Sequence, residues 1–186
     1  MKPAGWDTRR RRGATVRIKM NAAQFVETLG NHGWIRKTNP SVQTIDVSSV
    51  KLPHGIVELC SEYSVLQNPD ETVWFYSKLD YNGMSDSEFE WNFFEKSSLE
   101  CAMDESQRVE VLSFWMEHIP FCASVADGYS YIAFRLSDGA VVLGTEPEYE
   151  ESAKVISNSM ENFFELFVSA IRSHADGMMA RFLGNL

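Results

Sequence analysis

The sequence predicts an α+β fold, in which helices pack mainly on one face of an antiparallel sheet. The predicted segments follow the order helix, helix, strands, helix, strands, helix. This order lacks the strand–helix–strand repeat that is typical of parallel sheets. Asn-Gly and Asp-Gly pairs lie between apolar segments, where they favour tight turns between antiparallel strands. The chain has 186 residues, 44% of them hydrophobic and 12% aromatic, which is enough for one domain with a buried core.

Two amphipathic helices are predicted in the first third of the chain. The first begins after Met20 and ends at Gly30 and Gly33, because glycine is common just past a helix C-terminus. Its apolar stripe comprises Ala22, Phe25, Val26 and Leu29. Residues 35–50 are predicted to form a loop. The second helix starts near Pro53, which suits a first helical turn. Its stripe comprises Leu52, Ile56, Leu59, Cys60 and Tyr63.

The middle of the chain is predicted to form two strands and a helix. Residues 72–81 and 88–96 alternate with period two, and an Asn-Gly pair lies between them, so an antiparallel pair is expected. Residues 104–118 are expected to be helical, with acidic residues in the first turn, where they interact favourably with the helix dipole. The apolar side of this helix is assigned to Val109, Leu112 and Met116.

The last third is predicted to contain a hairpin, an acidic loop and a long helix. The hairpin occupies residues 119–144 and turns at Asp138-Gly139. Residues 146–152 form the loop, and Asn158 or Ser159 caps the helix. The apolar stripe of that helix comprises Met160, Phe163, Phe164, Phe167, Val168 and Ile171. The tail, residues 177–186, is expected to be either a short packed helix or an exposed apolar hook.

Charge is unevenly distributed along the chain. Residues 1–20 carry a net charge of +6, whereas the whole chain carries −9, so the remaining residues carry −15. We expect residues 1–19 to be a flexible basic arm and residues 20–186 to form a single domain. The arginines of this arm could contact phosphates or an anionic membrane: Arg9, Arg10, Arg11 and Arg12. A solvated tail and a natural start at Met20 are the alternatives.

Motifs for catalysis or metal binding are not found. Cys60, Cys101 and Cys122 form no Cys-x-x-Cys pair, and the four histidines have no metal-binding spacing. No phosphate-binding loop or nucleophile motif is present. We therefore expect no enzymatic activity, no metal and no cofactor. The chain also lacks an apolar stretch long enough for a signal peptide or a membrane span, so a cytoplasmic protein is expected.

The acidic residues predict a surface for a basic protein partner, because a body at −15 repels nucleic acid and attracts cations. The candidate contacts are carboxylates, with aromatic side chains between them as anchors. The predicted partner-binding residues are Asp80, Tyr81, Asp86, Glu88, Glu90, Trp91, Glu146, Glu148, Tyr149, Glu150 and Glu151. The alternative is that these carboxylates only keep the surface soluble.

Three segments resemble the SUKH superfamily (Smi/Knr-like proteins). LPHGIVELCSEY (52–63) resembles its opening Leu-Pro followed by an amphipathic helix, and IPFCASVADGYSYIAFRL (119–136) resembles its central strands. SNSMENFFELF (157–167) is similar to its closing helix. The resemblance implies a SUKH-like α+β domain that is not an enzyme. Bacterial members include immunity proteins that neutralise toxins, often nucleases, and fungal members act in cell-wall regulation.

The sequence therefore predicts an immunity protein that neutralises a basic toxin domain, with a monomer expected rather than a dimer. The alternative is an acidic, dimeric secretion chaperone for an exported effector, which an exposed C-terminal hook would favour. An enzyme of unknown chemistry would instead require a pocket with converging carboxylates or histidines whose pKa values are shifted.

Overall fold

Seven strands pair antiparallel in chain order, β1 to β7, in the computed structural model. The structure describes residues 19–43, 45–47, 50–85, 87, 89–173 and 177–184. The strands are β1 (Ile35–Lys37), β2 (Val65–Gln67), β3 (Val73–Phe75), β4 (His118–Ser124), β5 (Ser130–Arg135), β6 (Val141–Thr145) and β7 (Lys154–Ser157). The helices are α1 (Ala22–Asn31), α2 (Pro40–Gln43), α3 (His54–Cys60), α4 (Lys78–Tyr81), α5 (Phe93–Cys101), α6 (Glu105–Glu117), α7 (Met160–Ser173) and α8 (Met178–Leu183). The predicted α+β fold with an antiparallel sheet is confirmed.

Local sequence signals explain the helices that were predicted best. The Asn21 side chain accepts a hydrogen bond from the Gln24 N–H, and the Gln24 side chain accepts one from the Asn21 N–H, which together form a capping box at α1. The four predicted stripe residues of α1 are all buried. Ser159 precedes α7, and its hydroxyl oxygen accepts a hydrogen bond from the Asn162 N–H. It is therefore Ser159, of the two candidates, that caps this helix.

Aromatic packing joins α1 and α7 to the first face of the sheet. The Phe25 ring lies 5.5 Å from the Phe75 ring of β3, and the Phe163 ring lies 5.2 Å from the Phe121 ring of β4. Helix α3 packs beside α1, and α8 is tied to the same face because the Ser124 hydroxyl donates to the Phe182 carbonyl at 2.5 Å. This face therefore carries the larger group of helices.

The second face of the sheet carries α5 and α6. Tyr131 of β5 is fully buried there, with its ring 5.1 Å from the Phe94 ring of α5 and 4.9 Å from the Trp115 ring of α6. Strands β4, β5 and β6 are thus covered on both sides, which explains why every residue of β4, including Pro120, is buried. A register shift follows Pro120, where a strand tolerates a residue without an N–H.

The predicted strand pair at residues 72–81 and 88–96 is wrong. Strand β3 covers only Val73–Phe75 and pairs with β2 and β4. It is followed by α4, where the Asp80 carboxylate accepts hydrogen bonds from the Ser77 N–H and hydroxyl. Residues 89–92 are irregular and α5 begins at Phe93. The alternation was too short to decide between strand and helix, since Phe89 and Phe93 are also spaced for one side of a helix.

Helix α6 forms where predicted but faces the other way. Val109, Leu112 and Met116 are exposed, whereas Trp115 is buried, with Val111 and Phe114 packed partly against the core. The helix has apolar side chains on two sides, so its sequence does not specify which side faces the sheet. The contacts of Trp115 with Tyr131 and Phe94 decide it.

The remaining predictions have mixed outcomes. Residues 35–50 were predicted to be a loop but contain β1 and α2, and both β2 and β7 were missed. Cys60 and Cys122 are buried as expected of small apolar side chains. The tail forms α8, whose buried residues include Phe182 and Leu183. The packed alternative is therefore the observed one, and the exposed hook that would favour a chaperone is not found.

Two further observations concern the predicted basic arm and membrane-spanning helices. The basic arm lies outside the described residues except for Lys19, whose Nζ is 3.9 Å from a Glu161 carboxylate oxygen. Among the described residues, no helix combines the length and the apolar character needed to cross a bilayer.

Candidate functional site

The second face of the sheet gathers elements that carry nine acidic residues: two on α5, three on α6 and four in the loop at residues 146–151. Tyr131 is its centre, because α5 and α6 pack against its ring. Its hydroxyl donates a hydrogen bond to the Tyr149 carbonyl at 2.8 Å, which attaches the loop at residues 146–151 to the same face. Helix α5, helix α6 and this loop are called the acidic face below.

Side-chain hydrogen bonds hold the loop of the acidic face in place. The Trp115 indole N–H donates to the Glu150 carboxylate at 2.6 Å, linking the loop to α6. The Ser152 hydroxyl donates to the Thr145 carbonyl and accepts from the Thr145 N–H, both at 2.8 Å. The backbone that presents these glutamates is therefore supported by the core, and we expect the loop to hold its shape before any partner arrives.

The chain segment that contains the acidic face, residues 89–151, carries a strongly negative net charge. Residues 89–151 contain thirteen acidic and three basic side chains, whereas residues 19–85 contain seven acidic and five basic ones. Each of the three bases pairs with an acid: Lys96 with Glu90, Arg108 with Glu105, and Arg135 with Asp138. The other ten carboxylates of residues 89–151 form no ion pair with a described residue.

The structure places five of the predicted carboxylates at two positions. Glu146, Glu148 and Glu151 are exposed on the loop, and Glu150 is half-buried because of its bond to Trp115. Glu90 is exposed just before α5.

Asp80 and Trp91 are half-buried, and the Trp91 ring lies 5.9 Å from the Tyr81 ring. Asp86 and Glu88 lie outside the described residues.

Two of the predicted aromatic anchors are wrong. Tyr81 is 1% exposed and its hydroxyl donates to the Pro120 carbonyl at 2.7 Å. Tyr149 is 6% exposed and its ring lies 5.2 Å from the Phe94 ring, so burial raises the pKa of its phenol to about 12. Both tyrosines follow an acidic residue in the sequence, which suggested a surface position, but their rings fill the core and cannot contact a partner.

A groove borders the acidic face. It has a volume of about 470 Å³ and lies between β2, β3 and the segment that follows α4, with Trp74, Asp80 and Phe89 in its wall. The Trp74 ring lies 5.2 Å from the Phe89 ring, and the Trp74 indole N–H is buried without a hydrogen-bond partner among the described residues. Phe89 in turn contacts Phe93 of α5 at 5.0 Å, so the groove and the acidic face are contiguous.

Sequence reasoning missed the residues that build this site. Trp74, Trp115 and Tyr131 were each assigned to a helix or strand, but nothing local shows that they meet on one face. The strand register would have placed Trp74 on the same face as Tyr131, because Trp74 lies opposite Ala123 and Ala123 lies opposite Tyr131. Directly opposed residues of antiparallel strands share a face. That inference needs the strand register, which the sequence alone does not provide.

The described residues do not support a metal-binding site. No group of three histidine, cysteine, aspartate or glutamate side chains among them is arranged to hold a metal ion. His54 and Glu58 pair at 3.3 Å on the exposed side of α3, away from the groove. The groove thus offers aromatic surface and carboxylates.

His118 is expected to make stability depend on pH. Burial lowers the pKa of its imidazole, against the opposing effect of its Nδ1 hydrogen bond to the Phe114 carbonyl at 2.8 Å. The unfolded chain then binds more protons than the folded chain, so the free energy of unfolding should decrease as pH falls below about 6.5. Urea titrations at pH 7.5 and 5 test this, and His118→Gln should show a smaller decrease. Equal decreases would contradict the assignment.

Comparison with known proteins gave no match to this chain among family models, curated proteins or solved structures. The fold therefore defines it as an α+β protein with a seven-stranded open antiparallel sheet.

Proposed function

We propose that this chain is a cytoplasmic, non-enzymatic binding domain that neutralises a basic protein, as an immunity protein neutralises a toxin. One observation carries the proposal: ten carboxylates of residues 89–151 form no ion pair with a described residue. A solvated surface needs no such one-sided excess, because ordinary surfaces mix both signs of charge. The resemblance to SUKH immunity proteins supports the same function.

Electrostatics explains how such a face would act. A cationic toxin that binds phosphate presents lysine and arginine, and a face of carboxylates can occupy the surface that the nucleic acid would contact. Opposite charges also accelerate encounter by about 10- to 1000-fold. The bonds from Trp115 and Tyr131 fix the loop in advance, which lowers the entropy lost on binding.

Aromatic surface beside the carboxylates supports binding over simple solubility. The groove adds Trp74 and Phe89 to the edge of the acidic face, and Tyr129 is 39% exposed between Phe89 and Phe93. Hot spots of protein interfaces are rich in aromatic side chains that are surrounded by polar ones. These three aromatics replace the two tyrosines that the sequence suggested as anchors.

Co-expression tests the proposal. The product of a neighbouring gene should arrest growth when expressed alone, and this chain should restore growth and co-purify with that product. A neighbouring product that is harmless, or a toxic one that is neither bound nor silenced, would contradict the proposed function.

Neutralising the acidic face should slow the association with that partner. Replacing Glu100, Glu110, Glu146 and Glu148 by glutamine should lower the association rate by about tenfold or more at low salt, and should weaken its salt dependence. Stopped-flow fluorescence measures both. The matched control changes four acids elsewhere on the exposed surface: Glu27→Gln, Asp46→Asn, Glu58→Gln and Asp70→Asn. Equal effects of the two variants would show that only net charge matters and would contradict a localised binding face.

A further inference from the structure

Helix α6 exposes a row of apolar side chains that the core does not use. Val109 is 56% exposed, Leu112 is 41% exposed and Met116 is 76% exposed. They are spaced i, i+3 and i+7, so they lie along one side of the helix. Trp115, about 100° around the helix axis from Met116, already packs against the sheet. Single exposed apolar residues are ordinary, but a contiguous row marks an interaction surface. We call these three residues the α6 stripe.

Carboxylates border the α6 stripe. Glu105 lies one turn before Val109 on the same side of the helix, and Glu110 and Glu117 are exposed on the neighbouring side, about 100° around the helix axis from Val109 and Met116. The Leu136 N–H donates to the Glu117 carbonyl at 2.8 Å, which brings another apolar residue, 41% exposed, to the C-terminal end. The only base on α6 is Arg108, which pairs with Glu105 at 3.9 Å. The surface is therefore an apolar line with an acidic margin.

The shape and the charge of this surface select one occupant. We propose that the α6 stripe is the docking site for a basic amphipathic helix of the partner, whose apolar face would lie along Val109, Leu112 and Met116. Its lysines and arginines would meet Glu105, Glu110 and Glu117. From Glu105 to Glu117 the helix is about 18 Å long, which corresponds to about twelve residues of partner helix. This inference rests on the proposed function and names the chemistry of its partner.

Other occupants fit less well. A second copy of this chain, packed stripe against stripe, would bring two acidic margins together, and like charges in an interface are unfavourable. An anionic membrane surface would be repelled by the same carboxylates. The experiment described next can detect either a dimer or binding to an anionic membrane.

The experiment uses the full chain and two synthetic 18-residue peptides of identical leucine and lysine composition. In one peptide the leucines recur at i, i+3, i+4 and i+7; in the other they are scrambled. The stripe variant carries Val109→Ser, Leu112→Ser and Met116→Gln. The control variant alters two exposed apolar residues away from the acidic face and the groove, Val57→Ser and Val155→Ser. All five positions are exposed, so both variants should keep the fold, which circular dichroism checks.

The periodic peptide should bind the wild-type chain, and the stripe variant should raise its dissociation constant about tenfold or more, as measured by calorimetry. The control variant should leave it within about twofold. Equal affinity for the scrambled peptide, or unchanged affinity of the stripe variant, would overturn the inference. A dimer that light scattering detects and the stripe variant dissociates would also overturn it, as would stripe-dependent binding to phosphatidylserine vesicles.

Co-expression separates this inference from the proposed function. If the wild-type chain and the stripe variant restore growth equally well, the assignment of α6 is overturned while the proposed function stands. If the wild-type chain does not restore growth but peptide binding depends on the stripe, the proposed function is overturned and the docking site is supported.

Discussion

Replacing Phe167 by alanine is expected to lower the free energy of unfolding by about 3–5 kcal/mol, the range for large aromatic residues deleted from a core. Phe167 is fully buried in α7, and its ring contacts those of three residues from different elements: Trp34 at 5.6 Å, Phe75 at 5.3 Å and Phe25 at 5.8 Å. Alanine would leave a cavity between α1, α7 and β3, and surrounding rings on three rigid elements cannot collapse to fill it.

Urea unfolding followed by tryptophan fluorescence measures this loss. The control is Tyr129→Ala, which also removes an aromatic ring but at a position that is 39% exposed, and which we expect to cost about 1 kcal/mol or less. A loss below about 1.5 kcal/mol for Phe167→Ala would contradict the position of α7 against the sheet.

Replacing Gly144 by alanine is expected to cost about 1–3 kcal/mol, although it adds only a methyl group. A Cβ atom at this position in β6 would lie 2.5 Å from the Cε1, Cζ and hydroxyl atoms of Tyr131. Tyr131 cannot easily move aside, because its ring packs between Phe94 and Trp115 and its hydroxyl bonds the Tyr149 carbonyl. The added methyl group must therefore displace the residue at the centre of the acidic face.

Gly30→Ala is the matched control. A Cβ atom at Gly30 has no neighbouring atom within 4 Å, so this substitution in α1 should leave stability unchanged or raise it by up to about 1 kcal/mol. Thermal unfolding compares the two variants. Hydrogen exchange at residues 146–151 adds a second measurement, because displacement of Tyr131 should loosen the loop that its hydroxyl holds. If Gly144→Ala were as stable as wild type, the packing of Tyr131 over β6 would be wrong.

Helices α1, α3 and α7 could be predicted from the sequence because their signals are local. All three carry an apolar stripe at 3–4-residue spacing, and capping residues mark the start of α1 (Asn21) and of α7 (Ser159). The Asp138-Gly139 turn is local in the same way, and Gly139 has a φ of 76°, as the turn requires. The α+β class followed from these elements.

The conformation of residues 89–96 and the buried side of α6 could not be predicted, because they depend on contacts with distant segments. Phe89, Phe93 and Phe94 fit either a strand or a helix, and their ring contacts with Trp74, Tyr129 and Tyr131 belong to distant segments. Helix α6 has apolar residues on two sides, and only the position of Tyr131 determines which side is buried. The same tertiary contacts bury Tyr149 and expose the α6 stripe.

Composition and local sequence patterns were sufficient to predict an acidic α+β chain whose helices carry apolar stripes. The tertiary structure decided where the charge and the apolar surface meet, on the face built around Tyr131. The physical reason is the range of the interactions: caps, turns and stripes act between residues a few positions apart, whereas burial depends on contacts between strands and helices far apart in the chain.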